Sequence, residues 1–389
     1  MIQFLKAPRV NDSNAARSGP ARIGAAGPAP ALHPIVIRLG RVGDMVMLSP
    51  LLSLLRRRYR SPCWLVGAGV WSTKLYRGHD DIAQVWSLGG RHSPLLMGPA
   101  WWRVLWALRH SGMSPIYVCE TAASRRLNRI KGLLTLAGVE PERCVFLSDE
   151  DMADDSEHRV DCMLRFGKRT PSALQAANYP WEEVEPAPRL KVLAGARVEC
   201  DAWIKALGWT GRPLVLVQPG NRRSMRQNRW RRDRADAKAW PLSRWSALLR
   251  RVHESLPAAR IVLCGSWQEL TLLRQIRRAT GIEQVTAVNS SLCRLLALCE
   301  HAHSTISVDT GPAHVAAAMG SPLVVLFGNG LTRHWLPRSF CGAPVIGLGG
   351  SPSVQHVDEI PVQAVFEAWR SLSTPSNGLA VLQPARVQN

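Results

Sequence analysis

Short runs of β-branched and aliphatic residues alternate with amphipathic stretches along almost the whole chain, and this alternation limits the fold more than any other feature. Residues 35–39 (IVIRL), 63–67 (CWLVG), 82–87 (IAQVWS) and 115–119 (PIYVC) have the length and composition of buried strands. A second series follows at 213–218, 260–264, 304–308 and 322–327. Helical patterns lie between them: around Leu51, Leu52, Leu54 and Leu55, then over 101–110, 158–166, 241–256, 267–279 and 312–319. Strand–helix alternation predicts an α/β chain whose parallel sheets carry helices on both faces.

A Pro-rich stretch at 171–188 separates the two series. At about 150 residues per domain, 389 residues accommodate two. The expected organisation is a disordered basic arm over 1–33, a Rossmann-like domain over 34–190 and a second over 191–350. A closing helix is expected in 351–373, where Val362, Val365, Phe366 and Trp369 follow Pro361 at helical spacing, and a frayed tail over 374–389. The arm has Lys6, Arg9, Arg17 and Arg22 against Asp12, which also suits a transit peptide. Two such domains facing a cleft would bind ligands beyond the carboxyl ends of their strands, at the loops after residues 39, 218, 264 and 308.

Forty-nine Lys and Arg against 29 Asp and Glu leave a formal charge of +20. That suits a nucleic acid, an anionic bilayer or a phosphorylated substrate. No zinc-finger spacing, RNP-like aromatic strand or basic heptad region is present, so a nucleic-acid partner would rest on charge alone. Nine Cys without a C-x-x-C pair argue against a disulfide framework and for a reducing compartment. Nothing reaches the roughly 18 apolar residues of a membrane span. The expected protein is soluble and cytosolic. Most of its 15 Trp sit at helix or strand positions suited to cores, while Trp267 and Trp335 are candidates for stacking on a base or sugar.

Three junctions concentrate the chemistry. The first is LGRVGDM, residues 39–45, where Gly40 and Gly43 allow a tight turn and close approach of a ligand. Asp44 falls at the helix mouth, either as an ordinary cap or as a general base towards a hydroxyl. The second is SVDTGPAH, residues 307–314. Asp309 and Thr310 end a strand, Gly311 turns, and Pro312 opens a helix carrying His314. Such a helix start favours an anion by roughly 0.3–2 kcal/mol. The third runs from Gln218-Pro219-Gly220 to Lys238-Ala239-Trp240-Pro241, with Ser224 and Lys238 as candidates for clamping a diphosphate. The intervening arginines suit a mobile basic loop equally well. Asp149-Glu150-Asp151 has the D-x-D shape of a metal site, but its acidic surroundings favour a solvated loop. Gly67-Ala68-Gly69 lacks the third Gly of a dinucleotide fingerprint, which disfavours an oxidoreductase.

In this order the segments resemble glycosyltransferase family nine, the heptosyltransferases that build the lipopolysaccharide inner core. The resemblance runs from IVIRLGRVGDMVMLSPLLSLLRRRY through HRVDCML (158–164), VLVQPG (215–220) and KAWPLSRWSALLRRV (238–252). It continues through IVLCGSWQE (261–269) to TISVDTGPAHVAAAMGSPLVVLFG (305–328). It implies a GT-B fold and inverting transfer from a nucleotide sugar, typically ADP-heptose, with no metal or other cofactor. The excess positive charge suits a phosphorylated glycolipid acceptor and peripheral contact with an anionic membrane, so the expectation is a cytoplasmic protein at the inner face of the inner membrane, with no nucleic-acid partner.

Carried over by position, Asp44 matches the family's proposed catalytic base and Lys238 the lysine on the donor phosphates. Asp309, Thr310 and Gly311, with Pro312 and His314 beside them, match the donor-binding loop. Glu269 matches an acidic residue reaching the nucleoside. Arg56 and Arg60, with Arg57 and Arg58, suit a phosphorylated acceptor or a solvated helix end. The chain departs from the family in its Arg-rich insertion between Gly220 and Lys238, and in Asn329-Gly330-Leu331-Thr332 where Pro-Thr-Asp is usual. Another donor sugar, a protein acceptor, or a non-catalytic polyanion-binding protein remain as alternatives.

Overall fold

The computed structural model describes residues 30–88, 98–121, 124–221, 237–328, 332–350 and 354–372. The basic arm up to residue 29, Ser224 with the arginines at 222–236, Asn329–Leu331, and the tail from 373 lie outside the described residues. Each of the two predicted series closes into its own parallel sheet.

The first series runs β1 (Ile35–Arg38), α1 (Val42–Val46), α2 (Ser49–Tyr59), β2 (Cys63–Ala68), α3 (Gly69–Tyr76), β3 (Ile82–Leu88), α4 (Pro99–Arg109), β4 (Ile116–Val118), α5 (Arg125–Leu136), β5 (Cys144–Phe146) and α6 (Arg159–Gly167). Its strands lie in the order β3-β2-β1-β4-β5. Ile35, Val36 and Ile37 are fully buried, as expected of a strand covered on both faces. The helical pattern predicted through Leu51 begins as two helices, because Pro50 starts α2 afresh behind α1.

After α7 (Ala194–Ala206), the second series runs β6 (Leu214–Gln218), α8 (Leu242–Ser255), β7 (Arg260–Gly265), α9 (Leu270–Thr280), β8 (Val285–Asn289), α10 (Leu292–His301), β9 (Ala302–Val308), α11 (Gly311–Ala318), β10 (Leu323–Phe327), α12 (Thr332–Trp335), β11 (Val345–Gly349) and α13 (Val362–Ser371). The order β11-β10-β9-β6-β7-β8 is that of a Rossmann sheet, counted from β6. In α8, Trp245, Leu248, Leu249 and Val252 recur at i, i+3, i+4 and i+7 and are all buried. The closing helix α13 packs on this second domain, where Trp369 Nε1 donates to Ser304 Oγ at 2.9 Å.

One hydrophobic core runs between the domains, joining Met45 and Leu48 on one side to Leu295 and Ala313 on the other. Polar contacts brace it: Arg338 grips both oxygens of Asp161 at 2.6 Å. His158 Nε2 donates to Leu336 O at 2.9 Å, while its Nδ1 accepts from Val160 N at 3.2 Å and caps α6. Burial, with help from Arg338, lowers the His158 pKa to about 4 and keeps the ring neutral.

The core composition differs from expectation in one respect. Trp101, Trp209, Trp240, Trp245 and Trp369 are buried, but Trp102, Trp106, Trp181 and Trp267 are exposed. Helix α4 is apolar on its outer side as well as its inner one.

Candidate active site

In both sheets the strand order reverses beside the first strand of the series, between β1 and β4 and between β6 and β9. Ligands of open α/β sheets bind at such switch points. Asp44, on the turn after β1, and Lys238, Asp309, Thr310 and Gly311, on the connections after β6 and β9, lie there.

On the N-terminal lip, β1 ends at Arg38 and the chain turns into α1. Asp44 Oδ2 accepts from Arg41 N at 2.8 Å, so Asp44 does cap the helix. Its other oxygen pairs with the Arg38 guanidinium at 3.2 Å. Gly40 makes this arrangement possible, because a Cβ there would sit 2.5 Å from the Asp44 Cβ. Arg38 also donates to Cys119 O and lies 4.0 Å from Glu120. Burial alone would lower the Arg38 pKa, but Asp44 and Glu120 outweigh it and raise it, so the cation persists. Glu120 is buried and fully engaged. It accepts from Leu39 N at 2.8 Å and Ser124 Oγ at 3.0 Å, and pairs with Arg126 at 3.7 Å.

On the C-terminal lip, Asp309 and Thr310 follow β9. Lys238 Nζ donates to Asp309 O at 3.1 Å and forms an ion pair with its carboxylate. The loop bearing Lys238 is pinned from behind: Val357 N donates to Ala237 O at 2.9 Å, and a Cβ on Gly328 would lie 2.0 Å from that same oxygen. Thr310 stands at the N-cap with its hydroxyl donating to Val308 O at 3.2 Å, and Pro312 occupies the first turn of α11. Glu269, after β7, is buried and accepts from Ser266 N and Ser266 Oγ, both at 2.8 Å.

The lips meet through two glycines. A Cβ on Gly311 would lie 2.8 Å from Val42 Cβ and 3.1 Å from Gly43 N. A Cβ on Gly43 would lie 3.0 Å from His314 Cδ2. His314 is thus buried between the lips. Burial is the largest influence on it and lowers its pKa, against the pull of Asp309 and Asp44.

Beside Asp44 opens a pocket lined by Arg38, Asp44, Met47, Leu48, Met152, Arg159, Met163 and Trp335. Arg159 lies 5.7 Å from the Trp335 ring centroid and donates to Met152 O at 2.9 Å. Trp335 therefore reaches the cleft as expected, whereas Trp267 stands in solvent at 69% exposure. Arg38, Glu120 and Arg159 were missed as site residues. The clue to Glu120 was its place one residue beyond a predicted strand; only the strand order reveals that β4 neighbours β1.

Arg56 and Arg60 are not at the cleft. Helix α2 runs back from it, so its end lies at the amino edge of the sheet, where Leu32 N donates to Tyr59 O at 3.1 Å. There Arg56 pairs with Asp81 at 2.9 Å and Arg60 caps α2 in the left-handed region, with φ of 54°. Asp151 pairs with Arg169 at 3.0 Å and Arg165 at 3.5 Å. Among the described residues, no three His, Cys, Asp or Glu side chains converge as a metal site. No described helix is long and apolar enough to cross a membrane.

Residues 174–339 match glycosyltransferase family 9 (heptosyltransferase). The chain is 28% identical over 131 residues to lipopolysaccharide heptosyltransferase 3 of Escherichia coli, across 33% of this chain and 35% of that protein. It thus spans about a third of the length of the curated relative it matches. Among solved structures, a glycosyl transferase family 9 protein from Veillonella parvula superposes with a TM-score of 0.67 at 15% identity, covering 88% of this chain and 97% of the other. The E. coli ADP-heptose LPS heptosyltransferase II gives 0.64 at 19% identity, covering 88% and 98%. E. coli heptosyltransferase WaaC with ADP gives 0.61 at 14%, covering 88% and 100%. Together with the two parallel sheets, these likenesses establish the GT-B architecture.

Proposed function

We infer, from the glycosyltransferase family 9 domain that this chain carries at residues 174–339, that the protein is an inverting glycosyltransferase moving heptose from ADP-heptose onto a lipopolysaccharide-core acceptor. The observation that carries this reading is the Gly43–Gly311 contact, which sets the turn bearing Asp44 against the start of α11, with the Lys238–Asp309 pair beside it. A proton acceptor and an anion-holding helix start then stand on adjoining loops, with His314 under the influence of Asp44, Asp309 and Lys238 alike. The solved relative WaaC, with ADP or with ADP-2-deoxy-2-fluoro heptose, supports the nucleotide.

In the reaction we propose, Asp44 takes the proton of an acceptor hydroxyl while that oxygen attacks the anomeric carbon. The bond to the diphosphate breaks on the opposite face and ADP departs. A positioned base of this kind contributes about 10²–10⁴-fold. Charge developing on the diphosphate is met by Lys238 and the start of α11, which serve in place of a metal ion. Arg38 and Glu120 hold Asp44 in line, and Arg38 and Arg159 give the adjoining pocket a character suited to an anionic acceptor sugar.

The test is release of ADP from ADP-heptose by the purified chain, with and without a heptose-deficient lipopolysaccharide core, and a panel of UDP-, GDP- and dTDP-sugars beside it. Acceptor-dependent ADP release with inversion at the anomeric carbon is expected. Turnover of a different nucleotide sugar would reassign the donor. Absence of binding to any nucleotide sugar would overturn the reading.

A further inference from the structure

We propose that the outer face of α4 and α5 docks the protein on an anionic bilayer. Both helices cover the side of the first sheet whose core holds only N-terminal residues, facing away from the second domain. The inner face of α4 is apolar through Trp101, Val104 and Leu108. Its outer face should then be polar, yet Trp102 and Trp106 are 58% and 65% exposed, one helical turn apart, and Met113 beyond the helix is 48% exposed. Leu136 of α5 adds a fourth apolar side chain at 59%. Exposed tryptophans on one helix face are the informative exception to ordinary burial.

The charges around them have one sign. Arg103 and Arg109 flank the tryptophans on α4, and Arg129 and Lys131 stand exposed on α5. Neither 99–109 nor 125–136 contains an Asp or Glu. Tryptophan rings at headgroup depth with arginines reaching phosphates are the chemistry of an interfacial helix at an anionic membrane.

The position of this face also suits the site. Helices that follow strands begin at the carboxyl edge of the sheet, so α4 and α5 start on the cleft side. Arg126, in the first turn of α5, donates to Leu39 O in the turn that leads to Asp44. A bilayer touching this face lies beside the N-terminal lip, where a lipid-borne acceptor has a short path to Asp44. The proposal rests on the glycolipid acceptor of the function proposed above and adds the surface that reaches it.

The test is co-flotation of the full chain with phosphatidylglycerol–phosphatidylethanolamine vesicles and with phosphatidylcholine vesicles. Binding to the anionic vesicles, weakening with salt, is expected. W102A/W106A and, separately, R103E/R109E should each lower the partition coefficient about tenfold or more. Both pairs are solvent-exposed, so the fold should hold, and turnover on a water-soluble, deacylated acceptor should stay at the unsubstituted rate. Turnover on vesicle-embedded acceptor should fall with the partitioning. No vesicle binding by the unsubstituted chain, or binding unchanged in both variants, would overturn the proposal. So would a dimer dissolved by the tryptophan substitutions, or duplex DNA binding that they abolish, without any affinity for vesicles. Vesicle binding lost in both variants, with no transfer to any acceptor by the unsubstituted chain, would uphold the docking face while removing the transferase reading.

Discussion

Each lip of the cleft carries a carboxylate beside a cation at a strand-to-helix junction, but the two pairs are held differently. On the N-terminal lip the cation is locked: the Arg38 side chain is 20% exposed and shared among Asp44, Glu120 and Cys119 O, while Asp44 shows 24% of its surface. On the C-terminal lip the acid is recessed: Asp309 is 13% exposed and its partner Lys238 37%. One lip thus offers an oxygen whose orientation is set by a buried network, and the other a cation that keeps over a third of its surface exposed. That asymmetry matches what a transfer reaction needs, a proton acceptor opposite an anion clamp.

The comparison breaks most directly at Asp44. Asp44→Asn should cut turnover by about 10²–10⁴-fold while affinity for ADP stays within about twofold, read by steady-state kinetics and calorimetry. Near-normal turnover would make Asp44 only the helix cap it also is. Lys238→Ala should show the reverse split, with ADP affinity weakened about tenfold or more, since hydrogen bonds to charged groups contribute about 1.5–3 kcal/mol. Unchanged affinity would leave Lys238 a structural partner of Asp309 with no part in holding the donor.

Smaller effects sharpen the same contrast. Glu120→Gln should reduce turnover about tenfold with ADP affinity intact, because Glu120 acts through Arg38 on the orientation of Asp44 and touches nothing on the other lip. A cost of about 1–3 kcal/mol in denaturant unfolding should accompany it. Gly311→Ala should lower turnover more than it weakens ADP, as the added methyl forces Val42 and the Gly43 backbone away and parts the lips. The least effect concerns the brace between domains. The folded chain keeps His158 neutral down to about pH 4, whereas the unfolded chain takes up a proton near 6.5. The stability due to this group is therefore present above pH 6.5 and lost as pH falls towards 4. His158→Gln should flatten that part of the pH–stability curve measured by thermal unfolding.

The two pairs also differ in how far the sequence betrays them. Asp44, Asp309, Gly311 and Lys238 sit in local strand–turn–helix patterns, and such patterns can be recognised without knowing the fold. Glu120 and Arg38 meet across a long separation in the chain, and only the pairing of β1 with β4 brings them together. The strands that escaped sequence reasoning are edges: β11 (VIGLG) is half-buried throughout, and β8 (VTAVN) mixes buried with exposed positions. None carries the continuous apolar run that marks a strand buried on both faces. Helix α5 escaped as well, and α4 was recognised while its exposed tryptophans were not. A Trp in an amphipathic pattern suits a core equally well until the sheet shows which side is covered. Arg56 and Arg60 were misplaced for a related reason: adjacency to a motif along the chain is not adjacency in space when the helix between them runs away from the site.

The central claim is that both lips serve one reaction. It is tested most directly by a crystal structure of the chain with an unreactive ADP-sugar analogue. The account predicts the diphosphate within hydrogen-bonding distance of Lys238 Nζ and the start of α11, with the face of the anomeric carbon opposite the diphosphate turned towards Asp44. A nucleotide bound elsewhere, or an anomeric carbon turned away from Asp44 with the lips closed, would contradict it.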